Sequence, residues 1–183
     1  MIFFINFIFI KMMNTDEKFF ISDDYNILCF KSNYPSQWYI AHFELYDEDE
    51  KQLFKYNCCE QRMMHKKALV FKDYETANKI MNSTEPSDHK KLGRLVKNFD
   101  ENEWNNIADN IVEDANYCKF SQNQNLKQLL LDSGDKYIVE CSPYDKIWGN
   151  GLNITDTLNT PIDKWNGTNR LGLALMRVRD RLK

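Results

Sequence analysis

The 183-residue sequence predicts a mainly α, single-domain fold with a small β element. Three observations predict it. Aromatic and β-branched residues with local alternation crowd between Ile27 and Tyr56, as short strands require. Beyond Tyr56 the apolar residues recur at helical spacing, with capping residues ahead of them. Residues 25–183 contain no internal repeat, low-complexity linker or composition break that would split the folded part. At 21.9 kDa the chain is long enough to bury a core without disulfide or metal staples.

Taken in order, Trp38-Tyr39-Ile40-Ala41-His42-Phe43-Glu44-Leu45 supplies the strand signal, and Asp47-Glu48-Asp49-Glu50 is a charged turn between two strands. Glu60 to Phe71 has neither Gly nor Pro and reads as one helix. Asp73 caps a second helix running to Met81, and Pro86 follows after a short loop. Ser87 caps a third, ending near Gly93. Asp100 with Glu103 forms a capping-box start for a long amphipathic stretch through Trp104, Ile107, Ile111, Ala115 and Lys119. Asn125 to Asp132 is another helix, closed by Ser133-Gly134. Tyr137 to Cys141 is a strand leading into the Ser142-Pro143 turn. The last helix, Asn169 to Leu182, ends in Arg177, Arg179, Arg181 and Lys183, where the helix dipole favours cations.

A net charge of -3 gives no strong pull toward nucleic acid or anionic membrane, so a nucleic-acid substrate would need a local patch. The cysteines Cys29, Cys58, Cys59, Cys118 and Cys141 are odd in number and form no metal-ligand spacing. They read as reduced structural thiols of a cytoplasmic protein. No metal, cofactor or membrane association is expected, and oligomeric state is not encoded. Residues 1–24 read as a tail. Within it, Met1 to Ile10 is apolar but too short to span a bilayer, and Lys11 follows the run instead of preceding it. Met12 or Met13 as the start ranks ahead of a disordered or packed tail and of a weak anchor.

Three clusters carry chemistry. Glu60 and Lys67 lie seven residues apart, two helical turns, hence on one face about 10 Å apart. Met63, Met64 and Ala68 make that face half apolar, which shifts proton affinities. Taken alone, the spacing favours a solvated pair, since such pairs are common. Ser142-Pro143-Tyr144-Asp145-Lys146-Ile147-Trp148-Gly149-Asn150-Gly151 is a rigid loop with an acid, a stacking surface in Trp148 and glycines that admit close backbone approach. Alternatively Trp148 anchors a core and the glycines only shape a turn. Lys119-Phe120-Ser121-Gln122-Asn123 joins a cation to a run of polar side chains, with Asn123 also a cap for the next helix. Ser36-Gln37-Trp38 is a similar polar group beside an aromatic.

These segments, in order, resemble the NADAR (YbiA-like) family over about Ile27 to Leu182. The matching stretches are Ser36-Gln37-Trp38, then Tyr56-Asn57-Cys58-Cys59-Glu60-Gln61-Arg62-Met63-Met64 with Lys67-Ala68-Leu69, Leu92-Gly93-Arg94, Lys119 to Asn123, Val139 to Gly151, and Trp165 to Arg179. Arg62 stands where the family usually has an aromatic residue, which bears on one pocket wall. The resemblance implies an N-glycosidase acting on ADP-ribosylated guanine in nucleotide or nucleic acid. The alternatives it implies are ribosylamino intermediates of riboflavin synthesis, or ADP-ribose binding without turnover. It further implies Glu60, Lys67 and Asp145 as catalytic groups converging on one sugar-sized cleft. Arg94 and Lys119 are then phosphate ligands, and Ser36, Gln37, Trp38, Asn123, Trp148, Gly149 and Asn150 contact substrate. Trp104 is a stacking surface or a core residue.

Overall fold

The strand and helix signals appear where the sequence places them, with three short additions. The computed structural model describes residues 20–22 as backbone and residues 26–183 in full. The apolar run at residues 1–10 and the alternative start at Met12 or Met13 lie outside the described residues. In chain order the strands are β1 (Phe20–Ser22), β2 (Ile27–Phe30), β3 (Phe43–Asp47), β4 (Gln52–Tyr56) and β5 (Tyr137–Glu140). The helices are α1 (Cys59–Val70), α2 (Tyr74–Met81), α3 (Pro86–Gly93) and α4 (Glu101–Gln122). They continue with α5 (Gln124–Asp132), α6 (Ile154–Asn159) and α7 (Arg170–Leu182). A single 3-10 turn, Ile162–Lys164, follows α6. The chain is thus mainly α with a small β element. Strand β1 lies inside the stretch assigned to the tail, and α6 and the 3-10 turn were not foreseen.

Residues 34–132 and 177–183 form one compact unit. In it β3 and β4 pair antiparallel, with Tyr46 opposite Leu53 and Phe43 opposite Tyr56. The inward residues Phe43, Leu45 and Tyr56 pack with Cys59 of α1 and Ala115 of α4. Helix α1 also packs on α2 and α3, so ten of its twelve residues are buried, charged ones among them. Such a helix cannot be recognised by an apolar stripe, because burial extends around its circumference.

Capping follows the sequence in part. Asp73 accepts from the Thr76 amide and Asp100 from the Glu103 amide, closing the starts of α2 and α4. Helix α3 differs: Pro86 is its first residue, where its missing N–H costs nothing, and Ser87 lies inside the helix. Asn123 serves both helices. Its side-chain amide donates to the carbonyls of Lys119 and His42 and closes the end of α4, while its own carbonyl accepts from the Lys127 amide at 2.9 Å and opens α5.

The other unit comprises residues 133–176 and the described residues before Tyr34. Strand β2 lies between β1, antiparallel to it, and β5, parallel to it. Ile27, Cys29, Val139 and Cys141 meet Leu158 of α6 in a small core, flanked by Tyr137, Ile154 and Trp165. The five cysteines are free thiols.

Candidate active site

Helix α1 begins without a side-chain cap. The Glu60 amide donates instead to the Gln37 carbonyl at 3.0 Å, so the preceding loop closes the helix N-terminus. That fixes Glu60, which is 6% exposed, beside Gln37. Two turns on, the Lys67 ammonium sits 3.8 Å from the centre of the Phe99 ring and 5.9 Å from that of Trp104. Among the described residues no carboxylate or carbonyl holds it. Burial lowers its pKa below the usual lysine value, since the charged form loses water there. Its neighbour Lys66 contrasts with it, bonded to both Asp47 oxygens at 2.8 Å and to Asp49 at 2.7 Å.

The loop bearing Ser36, Gln37 and Trp38 is held from beneath. Lys119 is fully buried, and its Nζ donates to the carbonyls of Tyr34 at 2.6 Å and Ser36 at 2.9 Å. Burial lowers its pKa too. The side-chain amide of Gln37 accepts from Asn116 at 2.9 Å and approaches the Met63 sulfur at 3.9 Å. Ser36 Oγ accepts from the Trp38 amide. Ser36 and Gln37 are therefore occupied within the fold, as Lys119 is, while the Trp38 side chain remains 42% exposed. Lys90 of α3 places its ammonium 5.8 Å from the Trp38 ring centre.

Gly93 explains how α3 reaches α1. A Cβ at this position would collide with the Met64 sulfur, so glycine allows this approach without displacing that side chain. Arg94, the next residue, is exposed and ends α3. Lys90 and Arg94 lie one turn apart on this helix.

In the other unit, Asp145 organises its own loop. Its Oδ1 accepts from the amides of Ile147 at 3.1 Å and Trp148 at 2.8 Å. Trp148 is half-buried, with the Arg170 guanidinium 4.8 Å from its ring centre. Gly149 allows close passage, because a Cβ there would meet the Asp145 carbonyl at 2.8 Å and the Glu140 carbonyl at 3.0 Å. Asn150 is fully buried: its amide donates to Thr157 Oγ1 at 2.7 Å and accepts from the Leu152 amide at 3.1 Å. Gly149 and Asn150 thus shape the loop with every polar group of the Asn150 side chain engaged. No group of three or more potential metal ligands occurs among the described residues. No helix among them is long and apolar enough to cross a membrane.

Residues 19–183 match the family model of the NADAR domain. The chain is 43% identical over 145 residues to N-glycosidase R617 of Acanthamoeba polyphaga mimivirus, covering 79% of this chain and 85% of the relative. It belongs to the NADAR family. The protein irg-1 of Caenorhabditis elegans is 34% identical over 179 residues, 90% of this chain and 84% of the relative. The NMR structure of E. coli YbiA superimposes with a TM-score of 0.67 at 22% identity, over 85% of this chain and 84% of that one, and shares the fold. The N-glycosidase relatives place this NADAR chain among the N-glycosyl hydrolases.

Arg62, the departure from the NADAR pattern, faces the β3–β4 hairpin. It is 5% exposed, lies 3.2 Å from Asp47 and 5.7 Å from the Tyr56 ring centre, and shares that helix face with His65 and Lys66. The face bearing Glu60, Met63, Met64 and Lys67 does not carry the substitution. Sequence reasoning missed Phe99 and Lys90. A lone aromatic ahead of a capping Asp100 gives no signal of its own, and Lys90 stands among other lysines.

Proposed function

We propose that this NADAR chain hydrolyses the ribosyl C–N bond of ADP-ribosylated guanine, in a nucleotide or nucleic acid, with Lys67 as nucleophile. One observation carries the reading. Lys67 is a half-buried amine bounded by aromatic faces, with no acid or carbonyl among the described residues to hold its proton, on the helix that also buries Glu60. Burial favours the neutral, nucleophilic amine. The exposed Trp38 ring with Lys90 and Arg94 nearby on α3 supports a ligand combining a flat base with a diphosphate.

In the proposed reaction, neutral Lys67 Nζ attacks the anomeric carbon and the bond to the base nitrogen breaks. The electron pair stays on that nitrogen, which takes a proton from Glu60 or Asp145. Carboxylates stabilise the positive charge that develops at the anomeric carbon. The bond from the anomeric carbon to the ring oxygen then breaks, the proton leaving Nζ passes to that oxygen as a hydroxyl, and a protonated Schiff base forms. Water then adds to the same carbon and the amine departs, leaving free ADP-ribose and regenerated Lys67.

The test is to incubate the purified protein, with and without EDTA, with ADP-ribosylated guanosine and separately with ribosylamino riboflavin precursors, following the released guanosine or free base by chromatography. Release of guanosine together with ADP-ribose, unaffected by EDTA, is expected. Turnover of only the riboflavin precursors would move the activity to that pathway, and binding of ADP-ribose without release of base would make the chain a binding module. Borohydride should trap a protein–sugar adduct that Lys67→Arg does not form. Normal turnover without trapping would make Lys67 a protonated group that binds phosphate or orients the sugar.

A further inference from the structure

We infer that Asn169 is a positioning residue that locks the loop carrying Asp145 and Trp148 onto strand β5. The inference rests on the reading that this loop takes part in the reaction. The backbone between Lys146 and Asn150 has its carbonyls directed at the segment that starts α7. The Gly167 amide donates to Asn150 at 2.8 Å, Thr168 to Lys146 at 3.0 Å and Asn169 to Gly149 at 3.0 Å. Arg170 donates to Ile147 at 3.2 Å and Leu171 to Trp148 at 3.1 Å. The amides that a helix start ordinarily leaves open are therefore consumed by the loop.

Asn169 joins this ladder to the sheet. It is 2% exposed, and its Oδ1 accepts from the Glu140 amide at 3.0 Å while Nδ2 donates to the Ile138 carbonyl at 2.9 Å. Its own carbonyl accepts from Leu173 in the first turn of α7. Asn169 thus uses its backbone N–H, its carbonyl and both side-chain polar atoms to bind loop, strand and helix together. It does so at φ +50°, a left-handed conformation that Asn tolerates better than most residues. Gly172 supplies the room. A Cβ there would fall on the Ile138 carbonyl oxygen and on the Asn169 amide. Glu140 closes the circuit, since its carbonyl accepts from the Asn150 amide at 3.0 Å. With backbone fixed at both ends, Asp145 has only its own turn to order.

Two variants test this. Asn169→Gly keeps the left-handed backbone accessible and deletes both side-chain bonds, whereas Asn169→Asp keeps the acceptor for Glu140 and loses the donor to Ile138. Hydrogen exchange of the Ile147 and Trp148 amides should accelerate at least tenfold in Asn169→Gly, less in Asn169→Asp, with β3–β4 hairpin amides unchanged. In turnover of ADP-ribosylated guanosine, kcat should fall at least tenfold in Asn169→Gly while KM stays within threefold. Combined with Asp145→Asn, the second loss should be much smaller than the first, because both act through one carboxylate. Unchanged loop exchange, or kcat losses that multiply in the double variant, would overturn the assignment. If Asp145→Asn alone retains full turnover, the catalytic reading of the loop is what fails. Exchange at Ile147 and Trp148 then decides the role of Asn169 alone.

Discussion

Lys67 is subject to two opposed effects. The Phe99 and Trp104 faces favour its charged form by about 1 kcal/mol, whereas removal from water disfavours it. Burial prevails and the pKa falls below the ordinary 10.5. Because the reactive species is the neutral amine, the rate should rise with pH along a limb whose midpoint lies below that value. Phe99→Leu removes a stabiliser of the charge, so the limb should move roughly half a pH unit further toward acid. A pH–rate profile of both proteins checks this, and a flat profile would exclude the nucleophile role. Lys119 answers to a different measurement. Lys119→Met leaves the Tyr34 and Ser36 carbonyls buried without a donor, a cost of about 3 kcal/mol that urea unfolding should register. If Lys119 were instead a phosphate ligand, KM would rise with stability intact. Glu60 and Lys67 were readable as a pair because two turns of one helix fix their relation. The role of Lys119 was not, since a lysine bonded to backbone carbonyls has the same letters as one facing solvent.

Among the elements, the contact of α1 with α3 depends on one missing methyl group. Gly93→Ala must displace the Met64 side chain, whose sulfur occupies the space, and overpacking of this kind costs about 1–2 kcal/mol. Since thioether side chains adapt, Met64→Ala in the same protein should recover much of that loss. Thermal melts of the two single variants and the double variant make the comparison; strictly additive losses would mean that the glycine serves some other contact. The long helices were legible because α2 and α4 carry Asp caps ahead of uninterrupted helix formers. Strand β1, with three residues, and helix α6, with six, are too short to show a period. The parallel pairing of β2 with β5 could not be read at all, because all of α1 to α5 lies between the two strands. Asn123 opens α5 through its carbonyl, but its side-chain role could not be read: an amide can accept or donate, and only the neighbouring His42 and Lys119 carbonyls select donation.

At the scale of the whole chain, a net charge of -3 leaves little general repulsion, so acid stability rests on particular buried groups. His65 bonds to the Tyr56 hydroxyl at 2.9 Å, and burial, helped by Arg62, lowers its pKa to about 4. The unfolded chain takes up this proton near 6.5, whereas the folded chain refuses it until about 4. Stability is therefore complete above 6.5 and declines as pH falls toward 4, by about 3 kcal/mol. Asp47 adds a second, lower window. Burial alone would raise its carboxyl, but the Lys66 hydrogen bond and the Arg62 charge hold it below the ordinary 3.8. Its contribution persists above 3.8 and is lost as pH drops through the depressed value. Melting temperature should consequently begin to fall below pH 6.5, well before Asp47 protonates. His65→Gln should reduce that first decline, leaving the part due to His89, which burial also lowers, and leave the second in place. A wild-type melting temperature constant from pH 7 to 5 would show that His65 titrates alike folded and unfolded. The window also bears on the chemistry. Activity lost below pH 6 can come from unfolding as well as from protonated Lys67, and only the unfolding part should vanish in initial rates taken before the protein melts.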